Sequence, residues 1–167
     1  MKDMTKENLK AAFAGESQAC VKYLAFADQA AKEGKSNIAR LFEAIAYAER
    51  VHATNHLREL GGVGDVVANL GTAIAGENFE VDEMYAAYLA VAELQGEKGA
   101  KRSMGYAIEA EKIHAEMYGD ARKTAEKGQD IEIAEVYICP TCGFTHIGEP
   151  PDHCPVCKVK KENFKVF

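Results

Sequence analysis

From Thr5 to about Gly128, apolar residues recur at intervals of three and four, Ala, Glu, Lys and Leu dominate, and proline is absent. This is the pattern of amphipathic helices. Breaks at Gly34-Lys35-Ser36, at Gly61-Gly62-Val63-Gly64 and around Gly96 to Gly99 divide the stretch into four helices, at about 5–33, 37–60, 66–95 and 100–127. Ser36 and Asp65 are expected as N-caps, Gly34 and Gly61 as C-terminal stops. Beyond Gly128 the texture changes. The run Ile131 to Ile138 partly alternates apolar and polar residues, as a half-buried strand does, and all four prolines lie after it. Two domains are expected, 1–128 and 129–167. The second, at about 39 residues, is so small that a metal staple is expected on size alone.

The chain has 167 residues, with 26 acidic against 20 basic side chains and a net charge of -6. Clustered Lys and Arg are missing, which argues against nucleic acid as a partner. No apolar run reaches the roughly 20 residues of a membrane span, and Met1 to Lys10 is charged throughout, so neither membrane association nor export is expected. The expected location is cytoplasmic. Of the five cysteines, Cys139, Cys142, Cys154 and Cys157 crowd the C-terminal part, and Cys20 stands apart. An odd count without an export signal speaks against a disulfide framework and for metal.

An internal repeat carries the candidate chemistry of the helices. Ala14-Gly15-Glu16 recurs as Ala75-Gly76-Glu77, and Ala48-Glu49-Arg50-Val51-His52-Ala53 as Ala110-Glu111-Lys112-Ile113-His114-Ala115. Glu and His three apart share a helix face, so Glu49/His52 and Glu111/His114 each offer an oxygen and an imidazole nitrogen to one metal. Measured from the turns, the motifs fall within about one helical turn of a common level. A glutamate from each of two helices plus Glu-x-x-His from the other two is the di-iron or di-manganese ligand set of ferritin-like bundles. A lone Glu-x-x-His is weak evidence, since glutamate commonly decorates a solvated face; two copies in register with Glu16 and Glu77 are not. Glu80 breaks the symmetry: Ala19 occupies the matching place in the first half. Its spacing from Glu77 keeps it on the ligand face, which favours a seventh ligand over a surface acid.

Cys139-Pro-Thr-Cys142-Gly143 and Cys154-Pro-Val-Cys157 form a C-x₂-C-x₁₁-C-x₂-C pattern. Four thiolates from two tight turns make a tetrahedral sulfur site that suits zinc or a single iron. Gly143 suits a turn whose backbone amides point at sulfur. Lys158 follows the second knuckle where glycine would be easier, so mild strain is expected there. Cys20 is read as a small buried packing residue rather than a site residue.

With these motifs in place, the whole chain resembles the rubrerythrin family, from Phe-Ala-Gly-Glu-Ser-Gln-Ala (13–19) through Ala-Glu-Arg-Val-His (48–52), Ala-Gly-Glu-Asn-Phe-Glu (75–80) and Ala-Glu-Lys-Ile-His (110–114) to the Cys-Pro-x-Cys knuckles. The resemblance implies a mainly α protein: a ferritin-like four-helix bundle followed by a small β-rich rubredoxin-like metal domain. It implies two iron ions in the bundle and one iron, with zinc possible, at the four cysteines. Glu49 and Glu111 become bridging carboxylates, and His114 with Glu77 terminal ligands of one iron. The other iron takes Glu16 and exchanges His52 for Glu80 on oxidation. Tyr23 and Tyr85 stand where the family keeps tyrosines beside the site.

The activity implied is that of a non-haem peroxidase protecting against oxidative stress. Hydrogen peroxide is reduced to water, with electrons relayed through the cysteine-bound iron from an external donor such as a rubredoxin and its NADH-dependent reductase. The competing reading is an iron-oxidising and storage protein with a structural zinc ribbon. An oxygen-activating oxidase would need an organic substrate pocket that the sequence does not display. In the implied topology helices 2 and 3 run parallel, so a link of about five residues would have to climb roughly 33 Å, where five extended residues span at most about 18 Å. Either the bundle is a plain up-down-up-down meander, or helices 1–2 of one chain complete a bundle with helices 3–4 of another. The second is expected, a domain-swapped homodimer with each di-iron site drawing ligands from both chains, an arrangement that electron transfer to a partner chain's site would fit.

Overall fold

The computed structural model describes residues 1–167. It is mostly helical, with a small antiparallel sheet near the C-terminus. The helices are α1 (Asp3–Lys32), α2 (Ser36–Glu59), α3 (Val66–Phe79), α4 (Tyr85–Leu94) and α5 (Lys98–Ala125), and a π-helical turn, Glu80–Met84, joins α3 to α4. Two compact units result, Met1–Gly64 and Asp65–Phe167.

One device closes α1, α2, α4 and α5. Gly34, Gly61, Gly96 and Gly128 each adopt φ of 70–73°, the left-handed conformation that costs glycine nothing. The residue after each reaches back to a carbonyl five positions earlier, as in Lys35 N–H to Ala30 O and Gly62 N–H to Leu57 O. This confirms Gly34 and Gly61 as stops. Ser36, in contrast, is not an N-cap. The Lys35 amide closes α1 while its carbonyl already accepts from Ala39, so α2 begins at Ser36 with Lys35 in the cap position and no side-chain cap. Asp65 caps α3 as expected, its carboxylate accepting from Ala68 N–H at 2.8 Å. Asp65→Ala should lower stability by about 1 kcal/mol in a denaturant titration.

In the first unit, α1 and α2 pack through small residues: Ala27, Ala30, Ala39, Ala46 and Ala53 form the buried seam. Alanine permits close approach of the helix backbones, but it buries little area. The bulky residues face the other way: Val21, Leu24, Phe26, Leu41, Ile45 and Tyr47 are all exposed.

In the second unit, α3, the π turn and α4 pack along α5, with Ala92 and Ala110 buried. The sheet has order β2-β1-β3, from Val136–Ile138, Thr145–Ile147 and Lys165–Val166. The expected strand at 131–138 is therefore only its last three residues. Ile131 and Ile133 instead line a groove with Met117 and Ala121 of α5, so their alternation serves packing on a helix rather than strand pairing. The core of this small domain is Cys139, Cys142, Cys154, Phe144 and Phe164, against which Tyr106 and Ile113 of α5 pack. The sheet is thereby docked on α5. No helix is long and apolar enough to cross a membrane.

Candidate metal centres

Each helical hairpin assembles one half of the repeat. Glu16 of α1 meets Glu49 and His52 of α2, and Glu77 of α3 meets Glu111 and His114 of α5; in each trio one ligand atom per residue lies within 4.8 Å of the others. The geometry is nearly duplicated. His52 Nδ1 is 3.0 Å from Glu49 and 3.9 Å from Glu16, while His114 Nδ1 is 2.6 Å from Glu111 and 4.0 Å from Glu77. The helix period explains it: the three-residue spacing stacks Glu and His on one face, and the neighbouring helix supplies the third donor.

Burial differs between the halves. The His52 side chain is 54% exposed and that of His114 only 28%, because the small sheet covers the latter. His114 Nε2 lies 2.8 Å from Thr145 Oγ1 of β2. No motif in the sequence announced Thr145.

Glu80 stands outside the Glu77–Glu111–His114 trio, yet close enough to feel it. Burial, then the charge of Glu111, raises its pKa, against the opposing pull of His114. It opens the π turn, where Tyr85 N–H bonds Glu80 O. In an α-helix residues five apart point about 140° away from each other; a five-residue hydrogen-bonded loop brings them into line. Tyr85 is thus set beside the acids. Burial, followed by the charges of Glu80, Glu111 and Glu77, raises its phenol pKa. Tyr23 is placed otherwise, in an aromatic cluster with Phe26 and Phe42. Cys20 is half-buried, in a groove between α1 and α2 with Phe13, Ser17, Ala53 and Leu57.

The acids are held without cationic side chains; the ion pairs of Glu16, Glu49, Glu77 and Glu111 are to histidine alone. Burial, a hydrogen bond with Glu111 and the charges of Glu111 and Glu80 push the Glu77 carboxyl from 4.5 up to about 7. Such a concentration of carboxylates around imidazole nitrogens is a donor set waiting for divalent cations, and it fits two iron ions. A carboxyl with a raised folded pKa destabilises the fold progressively as pH climbs from about 4.5, and fully above about 7. The metal-free chain should therefore melt at a lower temperature at pH 8 than at pH 5.5, and added metal should reverse that order.

The four cysteines converge as the second donor set. Cys139 Sγ is 3.5 Å from Cys157 Sγ and Cys142 Sγ 3.4 Å from Cys154 Sγ, and all four belong to one potential metal group. The two knuckles are built alike. Gly143 N–H bonds Cys139 O, Lys158 N–H bonds Cys154 O, and Cys139 and Cys154 amides bond Phe144 O and Val159 O. Backbone amides do point at sulfur: burial resists ionisation of Cys154, but the N–H groups of Cys157 and Val156, together with hydrogen bonds from the Cys142 and Cys157 side chains, bring the thiol down to about 7. Burial pushes Cys142 up, partly offset by the Phe144 N–H. A buried tetrathiol with amides aimed at it fits a thiolate-bound metal.

The mirrored turns also explain Lys158. Gly143 has φ of 79° and Lys158 φ of 66°, the latter the sole non-glycine residue with positive φ. Lys158→Gly should stabilise the metal-loaded domain by about 1 kcal/mol, read from its unfolding midpoint.

Comparison with known proteins follows this division of donors. A family model described as Rubrerythrin matches residues 7–122, and one described as Rubrerythrin, rubredoxin-like domain, matches residues 137–165. Rubrerythrin-2 of Clostridium acetobutylicum is 43% identical, covering 98% of this chain and 97% of that protein. Nigerythrin of Nitratidesulfovibrio vulgaris is 37% identical over 98% of this chain and 86% of its own. The solved structure of nigerythrin in its fully reduced, all-ferrous state matches with a TM-score of 0.58 at 34% identity, covering 98% of this chain and 86% of that one. The chain belongs to the rubrerythrin family of oxidoreductases, with a di-iron ligand set on ferritin-like helices and a rubredoxin-like four-cysteine iron set in its small sheet domain.

Proposed function

We propose that the protein is a peroxidase that reduces hydrogen peroxide to water in defence against oxidative stress. The observation that carries this reading is the docking of the cysteine domain on α5. Tyr106 and Ile113 pack against the cysteine cluster, and Ile113 adjoins His114 in sequence. An electron store next to a two-metal donor set suits a reaction that consumes two electrons and must be recharged. We assign Glu16, Glu49, His52, Glu77, Glu80, Glu111 and His114 to the helical irons, and Cys139, Cys142, Cys154 and Cys157 to the single iron. We divide the donor sets at 1–128 and 129–167, although the compact units of the fold meet at Gly64 and Asp65.

When bound, the paired ferrous ions supply the two electrons that cleave the O–O bond. The protein's own groups do the rest. Glu49 and Glu111 would hold both ions, Glu80 would offer an extra anionic donor favouring the ferric state, and Tyr85 Oη, kept protonated by burial and three neighbouring acids, holds a proton beside the site. Cys139, Cys142, Cys154 and Cys157 would hold the iron that takes up single electrons from an external donor such as a rubredoxin, itself fed by an NADH-dependent reductase. Free thiols at four ligand positions suit the reducing cytoplasm.

Assembly supports the same reading. Each donor trio is complete within one hairpin, yet a di-iron site needs both, and the bulky face of α1–α2 is exposed. A second copy of the chain supplies cover and ligands together, as a domain-swapped homodimer. The cysteine domain packs on α5 beside His114, so in a swapped dimer it adjoins a site to which the partner chain also contributes ligands. A monomer in solution with full iron content would overturn the swap.

The deciding measurement is spectroscopic. Visible thiolate-to-iron bands should bleach with dithionite and return on adding peroxide, and Glu80→Ala should slow peroxide turnover while iron stays bound. A colourless cysteine site holding zinc, with no NADH-dependent peroxide consumption, would favour iron oxidation and storage instead. Unchanged turnover in Glu80→Ala would remove the role given to that residue.

A further inference from the structure

Thr145 is the one buried polar residue of the chain, 6% exposed. It faces inward on β2, paired with Ile138 of β1, a position where valine would pack as well and where a hydroxyl is costly unless bonded. Its hydroxyl has two neighbours. Gly143 O lies at 3.1 Å and His114 Nε2 at 2.8 Å. A carbonyl only accepts, so that contact takes the hydroxyl proton, and once Nδ1 gives its lone pair to a metal, Nε2 is the ring nitrogen that carries a proton and donates it to the hydroxyl oxygen. The other ring nitrogen, Nδ1, is the one that faces Glu111 and Glu77.

We propose that Thr145 is a positioning residue: anchored by the Gly143 carbonyl of the cysteine knuckle, it accepts the His114 Nε2–H and presents Nδ1 to the metal held with Glu77 and Glu111. This rests on the metal assignment given above. The bridge also makes the two halves of the repeat unequal. His52 has Nδ1 against Glu49 and Glu16 and a ring more than half exposed. The half-site beside the cysteine domain therefore keeps a fixed imidazole. The hydroxyl belongs to the knuckle turn, so proper closure of the cysteine site is what places it.

The test uses the full chain with its cysteine site loaded with iron, whose visible absorption reports that the small domain is folded. Thr145→Val keeps shape and removes the bridge; Thr145→Ser keeps the bridge. In anaerobic ferrous titrations the valine variant should bind iron on the helices about 10- to 100-fold more weakly, the usual consequence of losing a hydrogen-bond partner behind a histidine ligand. The serine variant should stay within about threefold of the parent. In protein labelled at histidine with ¹⁵N and loaded with zinc on the helices, the His114 Nε2 proton should resist solvent exchange in parent and serine forms and exchange freely in the valine form. Parent-like affinity and exchange in Thr145→Val would overturn the proposal, as would a serine variant as weak as valine. A parent chain that takes up no ferrous ion on its helices would instead overturn the functional reading itself.

Discussion

Cys154→Ser should release the metal from the small domain and unfold it, while leaving the helices in place. Three of the five residues that form the domain's core are ligand cysteines, and Cys154 is fully buried. The remaining apolar core is Phe144 and Phe164 with a few half-buried neighbours. Two phenylalanines are too small an apolar core to hold a domain of this size by themselves. Metal binding, which folds such small four-ligand domains, supplies what the packing lacks. The expected result is loss of stoichiometric metal, loss of visible absorption, and protease cleavage beyond about residue 130, with most far-ultraviolet helical signal retained. A serine variant that loses its metal yet resists protease would show that packing on Tyr106 and Ile113 alone suffices, and one that keeps stoichiometric metal would overturn the prediction.

The second large effect is two-sided. Glu111→Ala removes the carboxylate that lies 2.6 Å from His114 Nδ1 and that also bonds and repels Glu77. Under the proposed assignment it is a bridging ligand, so iron on the helices should fall below two per site and peroxide turnover by about 10²- to 10³-fold, equivalent to about 3–4 kcal/mol of lost transition-state stabilisation. Metal-free stability should move the opposite way. Burial still raises Glu77, but the Glu111 contributions vanish, and its carboxyl should titrate nearer the usual range. The metal-free variant should then melt higher than the metal-free parent at pH 8, where repulsion in the parent is complete. Iron content, stopped-flow peroxide consumption and calorimetry check the three parts separately. A variant that loses turnover yet melts no higher would mean that the acids are already relaxed by solvent.

What was legible beforehand was local. The glycine stops at Gly34 and Gly61, the Asp65 cap and the Glu-x-x-His pairs each depend on residues within a turn or two of one another, and all are found as expected. Ser36 misled because a tight Schellman closure runs into α2 without leaving a non-helical residue for a side chain to cap. The strand at 131–138 was over-extended for a related reason. Alternation reports a half-buried extended segment, but it does not say whether the other half is a strand or, as for Ile131 and Ile133, a helix. The π turn at Glu80–Met84 had no signal at all, since its residues are ordinary helix formers and its effect is an offset in hydrogen bonding.

By itself the sequence determined the donors: carboxylate and imidazole three apart on helix faces, twice over, and four thiols in two knuckles. Helical period and turn chemistry act at short range, so spacing alone carries them. Only the tertiary structure decided which groups tune those donors. The Thr145 hydroxyl reaches His114 across 31 positions of sequence, and the small sheet shields one histidine of the repeat while its twin stays open. Such contacts depend on where a sheet docks on a helix, which is settled by the summed packing of Tyr106, Ile113 and the cysteine core rather than by any single motif.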